Sequence, residues 1–238
     1  KILLILCAWI ACWSVGLGAG TAVPEKADFY RIDIDKEIGP TTWRYLQNGH
    51  AEALRSSAQA VILRLNTYGG TVVHADSMRT LILNSPLPFY AFIDNNAASA
   101  GALIAIACDS IYMREGASIG AATVVDPTGA AMPDKYQSYM RATIRATAES
   151  HGCDTLRAVD GSTRLQWHRD PLIAEAMVDE RIVVPGLCDS TKVLTLTARE
   201  ALQWGYCEAI VGSVDDIIAS RLGCTSYTVE QYESTFYD

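Results

Sequence analysis

No stretch of about 18 or more apolar residues occurs in this 238-residue chain, so no strong transmembrane helix lies within it. It also lacks any basic run. Nineteen Lys and Arg stand against 27 Asp and Glu, a net charge of −8, which excludes a nucleic-acid-binding surface. There is no CxxC pair, and the seven cysteines are scattered, which excludes a zinc site and a disulfide framework. Neither GxGxxG nor GxxxxGK is present, so a phosphate-cradling loop is not indicated. Seventeen Gly and eight Pro, spread along the chain, argue against a repeat or disordered protein. What is present is a 50% hydrophobic composition, enough for one large α/β domain with its own core.

The two ends differ from the middle. Lys1 is followed by an apolar run to Trp13 and then by small residues, the plan of a signal peptide or uncleaved anchor over residues 1–22. Gly20-Thr21-Ala22 offers a small-x-small cleavage site. The globular domain is expected over residues 23–224. Residues 225–238, polar and aromatic, read as a tail leading to a missing membrane region.

Between them, strand and helix patterns alternate. Tyr30–Asp35, Ala60–Leu65, Pro88–Ile93, Ile111–Met113 and Val193–Leu196 have strand character. Thr41–Ser57, Val72–Asn84, Ala97–Cys108, Asp134–Ser150 and Ala198–Trp204 read as helices. Short apolar strands separated by helices predict a parallel sheet covered by helices.

In such sheets, sites form at the carboxyl ends of strands. Two junctions stand out there: Asn66-Thr67-Tyr68-Gly69-Gly70 and Asp94 to Ala102, which contains Ser99. A serine at a helix start is surrounded by backbone N–H groups that can hold a developing oxyanion. The neighbouring glycines allow close backbone approach. Ser99 as a nucleophile, with N–H donors from Gly70 (or Gly69) and Ala100, is a coherent acyl-transfer arrangement. Spacing alone leaves open that Ser99 only caps a helix and Gly69-Gly70 only makes a turn.

A serine nucleophile needs a base. His74 is expected on an outer helix face, His151 as a cation capping the long helix, and His168 in a polar loop beside Arg169. None has an evident partner. Of five lysines, Lys135 is unusual because it opens a helix after Pro133-Asp134. There the helix dipole opposes its charge, and burial against the apolar helix face would make a neutral amine available; position alone leaves open that Lys135 is a solvated surface lysine.

Three motifs in order carry a family resemblance: Leu65-Asn66-Thr67-Tyr68-Gly69-Gly70, Ala98-Ser99-Ala100-Gly101-Ala102, and Ala117-Ser118-Ile119-Gly120-Ala121-Ala122. With Lys135, the Arg145-Ala146-Thr147-Ala148-Glu149 run and the Val193–Gly205 segment, the chain resembles the ClpP/crotonase superfamily. More narrowly it is similar to the NfeD-type membrane-bound serine proteases. The resemblance implies an α/β spiral core of parallel strands covered by helices. It also implies a Ser99–Lys135 dyad and an oxyanion hole at Gly69, Gly70 and Ala100. The implied enzyme is a membrane-associated, extracytoplasmic serine endopeptidase. It would cleave hydrophobic peptide segments of stomatin-like proteins and form a homodimer or higher oligomer, with no cofactor or metal expected. Tyr68 stands where the family usually has proline. Thr123-Val124-Val125 occupies the region in which ClpP itself carries its histidine.

Two other readings compete. A non-catalytic scaffold would keep the fold and assemble stomatin-like partners. A crotonase-type acyl-CoA enzyme would use carboxylate acids rather than a serine and lysine, and an exported chain suits a CoA substrate poorly.

Overall fold

The computed structural model describes residues 27–157 and 163–233. Residues 1–26, which carry the expected signal segment, lie outside the described residues.

The chain alternates strand and helix through its first half: β1 (Ala27–Ile34), α1 (Pro40–Arg55), β2 (Ala60–Thr67), α2 (Val72–Leu83), β3 (Phe89–Ala98), α3 (Ala100–Ala107) and β4 (Ser110–Met113). It continues through β5 (Ser118–Gly120), α4 (Asp134–Glu149), a hairpin of β6 (Cys153–Arg157) and β7 (Thr163–Trp167), and α5 (Pro171–Ala176). It closes with β8 (Thr195–Thr197), α6 (Ala198–Gln203), β9 (Ala209–Ile210), a short helical stretch over Val214–Arg221, and β10 (Tyr227–Gln231).

Six strands lie parallel in the order β10-β1-β2-β3-β4-β9. The sheet forks at β3. Its first half pairs with β4, and its last three residues, Asn96–Ala98, pair with β5, which in turn pairs antiparallel with β8. The expected parallel α/β core is therefore present. Among the strands of the described residues, antiparallel pairing is confined to β5–β8 and β6–β7, with isolated antiparallel bridges at Val125–Ala131 and Val184–Cys188.

Strand alternation separates two cores. Ile32, Leu63, Ala91, Ile93 and Met113 face the layer containing α1 to α4. Phe29, Ile62, Phe92 and Tyr112 face Ile217, Ile218 and Cys224 on the other side. Towards the carboxyl ends of the strands that second face turns polar. Arg64 donates to Asp94 at 2.9 Å and lies 3.4 Å from Asp33, and Arg114 also donates to Asp94. Burial works to raise the Asp94 pKa, but the hydrogen bonds from Arg114 and Arg64 outweigh it and hold it below the usual carboxylate value.

Every residue of α3 is buried, which explains its run of alanine, leucine, isoleucine and glycine. Gly101 permits the approach of β2, since a Cβ there would stand 2.8 Å from the Thr67 methyl.

Two boundaries differ from expectation. β3 runs on to Ala98, so the stretch from Asp94 is strand rather than loop. The expected domain end at residue 224 falls short, because β10 adds Tyr227–Gln231 to β1 as an edge strand. Its outer side is exposed, so it shows little apolar patterning in the sequence.

Candidate active site

Ser99 is the single residue between β3 and α3. Its φ of 55° and ψ of −118° lie where few non-glycine residues sit. That sharp turn lets an extended strand pass directly into a helix and leaves the side chain standing out at the junction. The Ser99 N–H donates to Gly120 O at 2.8 Å, extending the β3–β5 ladder by one bond and fixing the turn. Among the described residues, Ser99 Oγ has no hydrogen-bond partner.

The glycine pair sits against it. A Cβ on Gly69 would lie 2.6 Å from Ser99 Cβ, so only glycine lets the two junctions touch. Gly70 bridges Ile38: Ile38 N–H donates to Gly69 O at 2.8 Å, and Thr71 N–H donates to Ile38 O at 2.9 Å. Those two bonds use the peptide groups flanking Gly70, so its own N–H points away from Ile38. The N–H of Ala100 opens α3 and has no acceptor within the helix. Gly69 does not fit the donor role expected for it, because its N–H is already given to Thr67 Oγ1 at 3.1 Å. Its contribution is space.

These groups open into a cavity of about 750 Å³. Gly70, Ser99 and Ala100 lie at its floor, and Val72, Ala75, Met140 and Val193 line its apolar walls. One side is a small flap. Met132 N–H donates to Val124 O, and Asp126 N–H to Ala130 O, both at 2.9 Å, around a turn held by Asp126. Val124, Val125 and Pro127 of that flap line the cavity. Tyr68 is 82% exposed at its rim. The charged side chains on the wall are Glu37 and Asp126.

No histidine or lysine is among the lining residues. His74 Nδ1 is 2.6 Å from Thr71 Oγ1, His50 Nε2 is 3.0 Å from Ser85 Oγ, and His168 lies 4.0 Å from Asp154. His151 does not cap its own helix as a cation. Its Nε2 sits 2.6 Å from Ile106 O at the far end of α3. Burial, with Arg169 nearby, lowers its pKa to about 4, so it caps as a neutral ring.

Lys135 is exposed, with Nζ 4.8 Å from the centre of the Tyr136 ring, and the expected burial against the helix face is absent. Helical geometry gives the reason. Gln137, two residues on, is rotated by about 200° and takes the buried side of the first turn. Lys135 shares its side with Tyr139, one turn later, whose hydroxyl reaches Asp76 of α2 at 3.4 Å. It therefore stands on the α2 side of α4, outside the lining of the cleft.

Three structural features around the site escaped the sequence reading: the flap, Gln137, and the cap at the far end of α3. Arg169, 3% exposed, donates to the carbonyls of Ile106 (3.1 Å), Cys108 (2.7 Å) and Asp109 (3.2 Å). A lone arginine between a histidine and an aspartate gives no sequence signal of such a role.

Comparison with known proteins places this arrangement. The chain is 31% identical over 216 residues to membrane protein NfeD1b of Bacillus subtilis, covering 90% of this chain and 46% of that protein. It is 28% identical over 205 residues to the membrane-bound protease PH1510 of Pyrococcus horikoshii, covering 82% of this chain and 40% of that protein. It thus spans less than half the length of either relative. Among solved structures it superposes with a TM-score of 0.72 and 24% identity on a lysine-to-alanine variant of the stomatin-specific protease 1510-N bound to a substrate peptide, covering 90% of this chain and 95% of that one. ClpP1 of Listeria monocytogenes matches with a TM-score of 0.51 at 16% identity, covering 81% and 94%. The fold is that of the ClpP-like proteases. Among the described residues no helix is long and apolar enough to cross a membrane, although both sequence relatives are named as membrane proteins. The family model for the NfeD1b N-terminal domain matches residues 28–232, and the chain belongs to that family.

Proposed function

We propose that this domain is a serine endopeptidase in which Ser99 attacks a peptide carbonyl and Lys135 receives its proton. The observation that carries this is the turn at Ser99, with positive φ, pressed against Gly69-Gly70 at the floor of an apolar cleft. In the reaction, the Ser99 Oγ–carbon bond forms and the carbonyl electrons move to oxygen. The N–H groups of Gly70 and Ala100 hold that charge. Collapse breaks the C–N bond, and the amine leaves with the proton held by Lys135. Water then releases the acyl group by the reverse path.

The apolar walls favour hydrophobic peptide segments. The name of 1510-N, a membrane-bound stomatin-specific protease, supports a stomatin-like substrate at a membrane surface, and an extracytoplasmic position is part of the same reading. A homodimer or larger assembly is part of the same reading.

The resting position of Lys135 requires the first turn of α4 to move inward for catalysis, and it favours a second reading, a non-catalytic scaffold for stomatin-like partners. Hydrolysis of an apolar peptide separates the two. The protease reading expects cleavage by the wild type that Ser99→Ala and Lys135→Ala each abolish, with His74→Ala and His168→Ala close to wild type. Equal traces of cleavage in wild type and Ser99→Ala would leave only the scaffold.

A further inference from the structure

The flap and the start of α4 are joined by one side chain. Gln137, 9% exposed, accepts from Val124 N–H at 3.0 Å through Oε1. Through Nε2 it donates to Val124 O at 2.7 Å and Met132 O at 3.1 Å. Those are the two residues that close the base of the flap, so a single buried amide holds both of its strands. Gln137 lies in the same helical turn as Lys135. Three residues before Gln137, on the neighbouring part of the same face, Asp134 is tied to Arg181 at 3.0 Å.

A glutamine spending three hydrogen bonds on one loop is worth about 1 kcal/mol per bond in net stability, yet the backbone groups it serves would be costly to bury unpaired. The amide therefore makes the flap and the Lys135 turn a single body. Val124 and Val125 face the cleft, so a peptide seated against Ser99 presses on that body directly.

We propose that Gln137 is a positioning residue. It transmits closure of the Val124–Met132 flap over a bound peptide to the first turn of α4, carrying the Lys135 amine from the Tyr136 ring towards Ser99. This rests on the protease reading above. Gln137 touches neither substrate nor Ser99, and acts through Lys135.

The test uses the rate of Ser99 modification by a fluorophosphonate bearing an apolar peptide. The Ser99 Oγ–P bond forms, the P–F bond breaks with loss of fluoride, and the hydroxyl proton passes to the base. Rates are compared in wild type, Gln137→Leu, Lys135→Ala and the double variant. Loss of a general base costs about 10²–10⁴-fold, and uncoupling it is expected to cost about tenfold or more in Gln137→Leu. The double variant should match Lys135→Ala within about twofold, because a residue acting through another adds nothing once that other is gone. A merely structural role would make the losses multiply. Multiplying losses, an unchanged Gln137→Leu rate, or a faster one would each overturn the inference. If Gln137→Leu melts well below wild type, Gln137→Glu serves in the same cycle, since it keeps the acceptor for Val124 N–H. Absence of a Ser99 adduct in the wild type would instead remove the nucleophile reading, and this inference with it.

Discussion

The two ends of α3 are treated in opposite ways. At its start, Ser99 takes a sparsely populated backbone conformation, and the N–H of Ala100 faces an open cleft without an acceptor in the helix. At its end, the carbonyls of Ile106 and Cys108 are filled by the Arg169 guanidinium and the His151 ring. A buried helix normally needs both ends satisfied. Here the saturated end anchors the element, and the unsatisfied end keeps its donors for something that arrives. Strain and unmet hydrogen bonds persist only where the surroundings over-determine them. The fully buried α3 supplies that rigidity.

The sharpest way to break this contrast is at the open end. Ser99→Ala should lower peptide cleavage by about 10³-fold or more while leaving the thermal midpoint within a degree or two of wild type, since Oγ has no partner to lose. Gly70→Ala should hurt both properties. Its Cβ would fall 2.1 Å from Ile38 O, so the bridge that aims the Gly70 N–H must shift. A loss of about 10²-fold or more in cleavage is expected, with a lowered denaturation midpoint.

The sealed end should respond in stability alone. Arg169→Met would leave the Cys108 and Asp109 carbonyls without a donor, with Ile106 O keeping only His151, costing about 2–4 kcal/mol by urea denaturation, while the folded fraction should still be modified at Ser99. Loss of Ser99 reactivity in the folded fraction would show that the two ends are not separable.

The last effect, confined to acidic pH, concerns His151. Its folded pKa of about 4 lies below the ordinary 6.5, so the neutral ring is favoured by folding. Stability should be full above pH 6.5, decline as pH falls through that window, and level off below about 4. His151→Gln, which keeps a donor and cannot titrate there, should flatten that part of a melting-temperature profile.

The open end was the more legible of the two in the sequence. Ser99 and Gly69-Gly70 announce themselves because a strand-to-helix junction and paired glycines are local signals. The division of labour between the glycines was not legible, since it depends on Thr67 Oγ1 taking the Gly69 N–H. The exposed position of Lys135 was not legible, because the side of α4 that is buried is decided by Gln137 and Met140 against the flap and cleft. The sealed end was invisible: Arg169 reaches carbonyls about 60 positions earlier in the chain. β5 and the β6–β7 hairpin were missed for a related reason. β5 has three residues, and the hairpin strands are exposed on nearly every residue, so neither shows a clear period.

The central claim, that the N-terminal end of α3 is a preorganised oxyanion site around Ser99, is tested most directly by a crystal structure of the phosphonylated protein. The account predicts one adduct, on Ser99 Oγ, with a phosphonyl oxygen about 2.7–3.1 Å from both the Gly70 and Ala100 nitrogens. An adduct on another residue, or a Ser99 adduct whose oxygens turn to solvent away from both N–H groups, would contradict it.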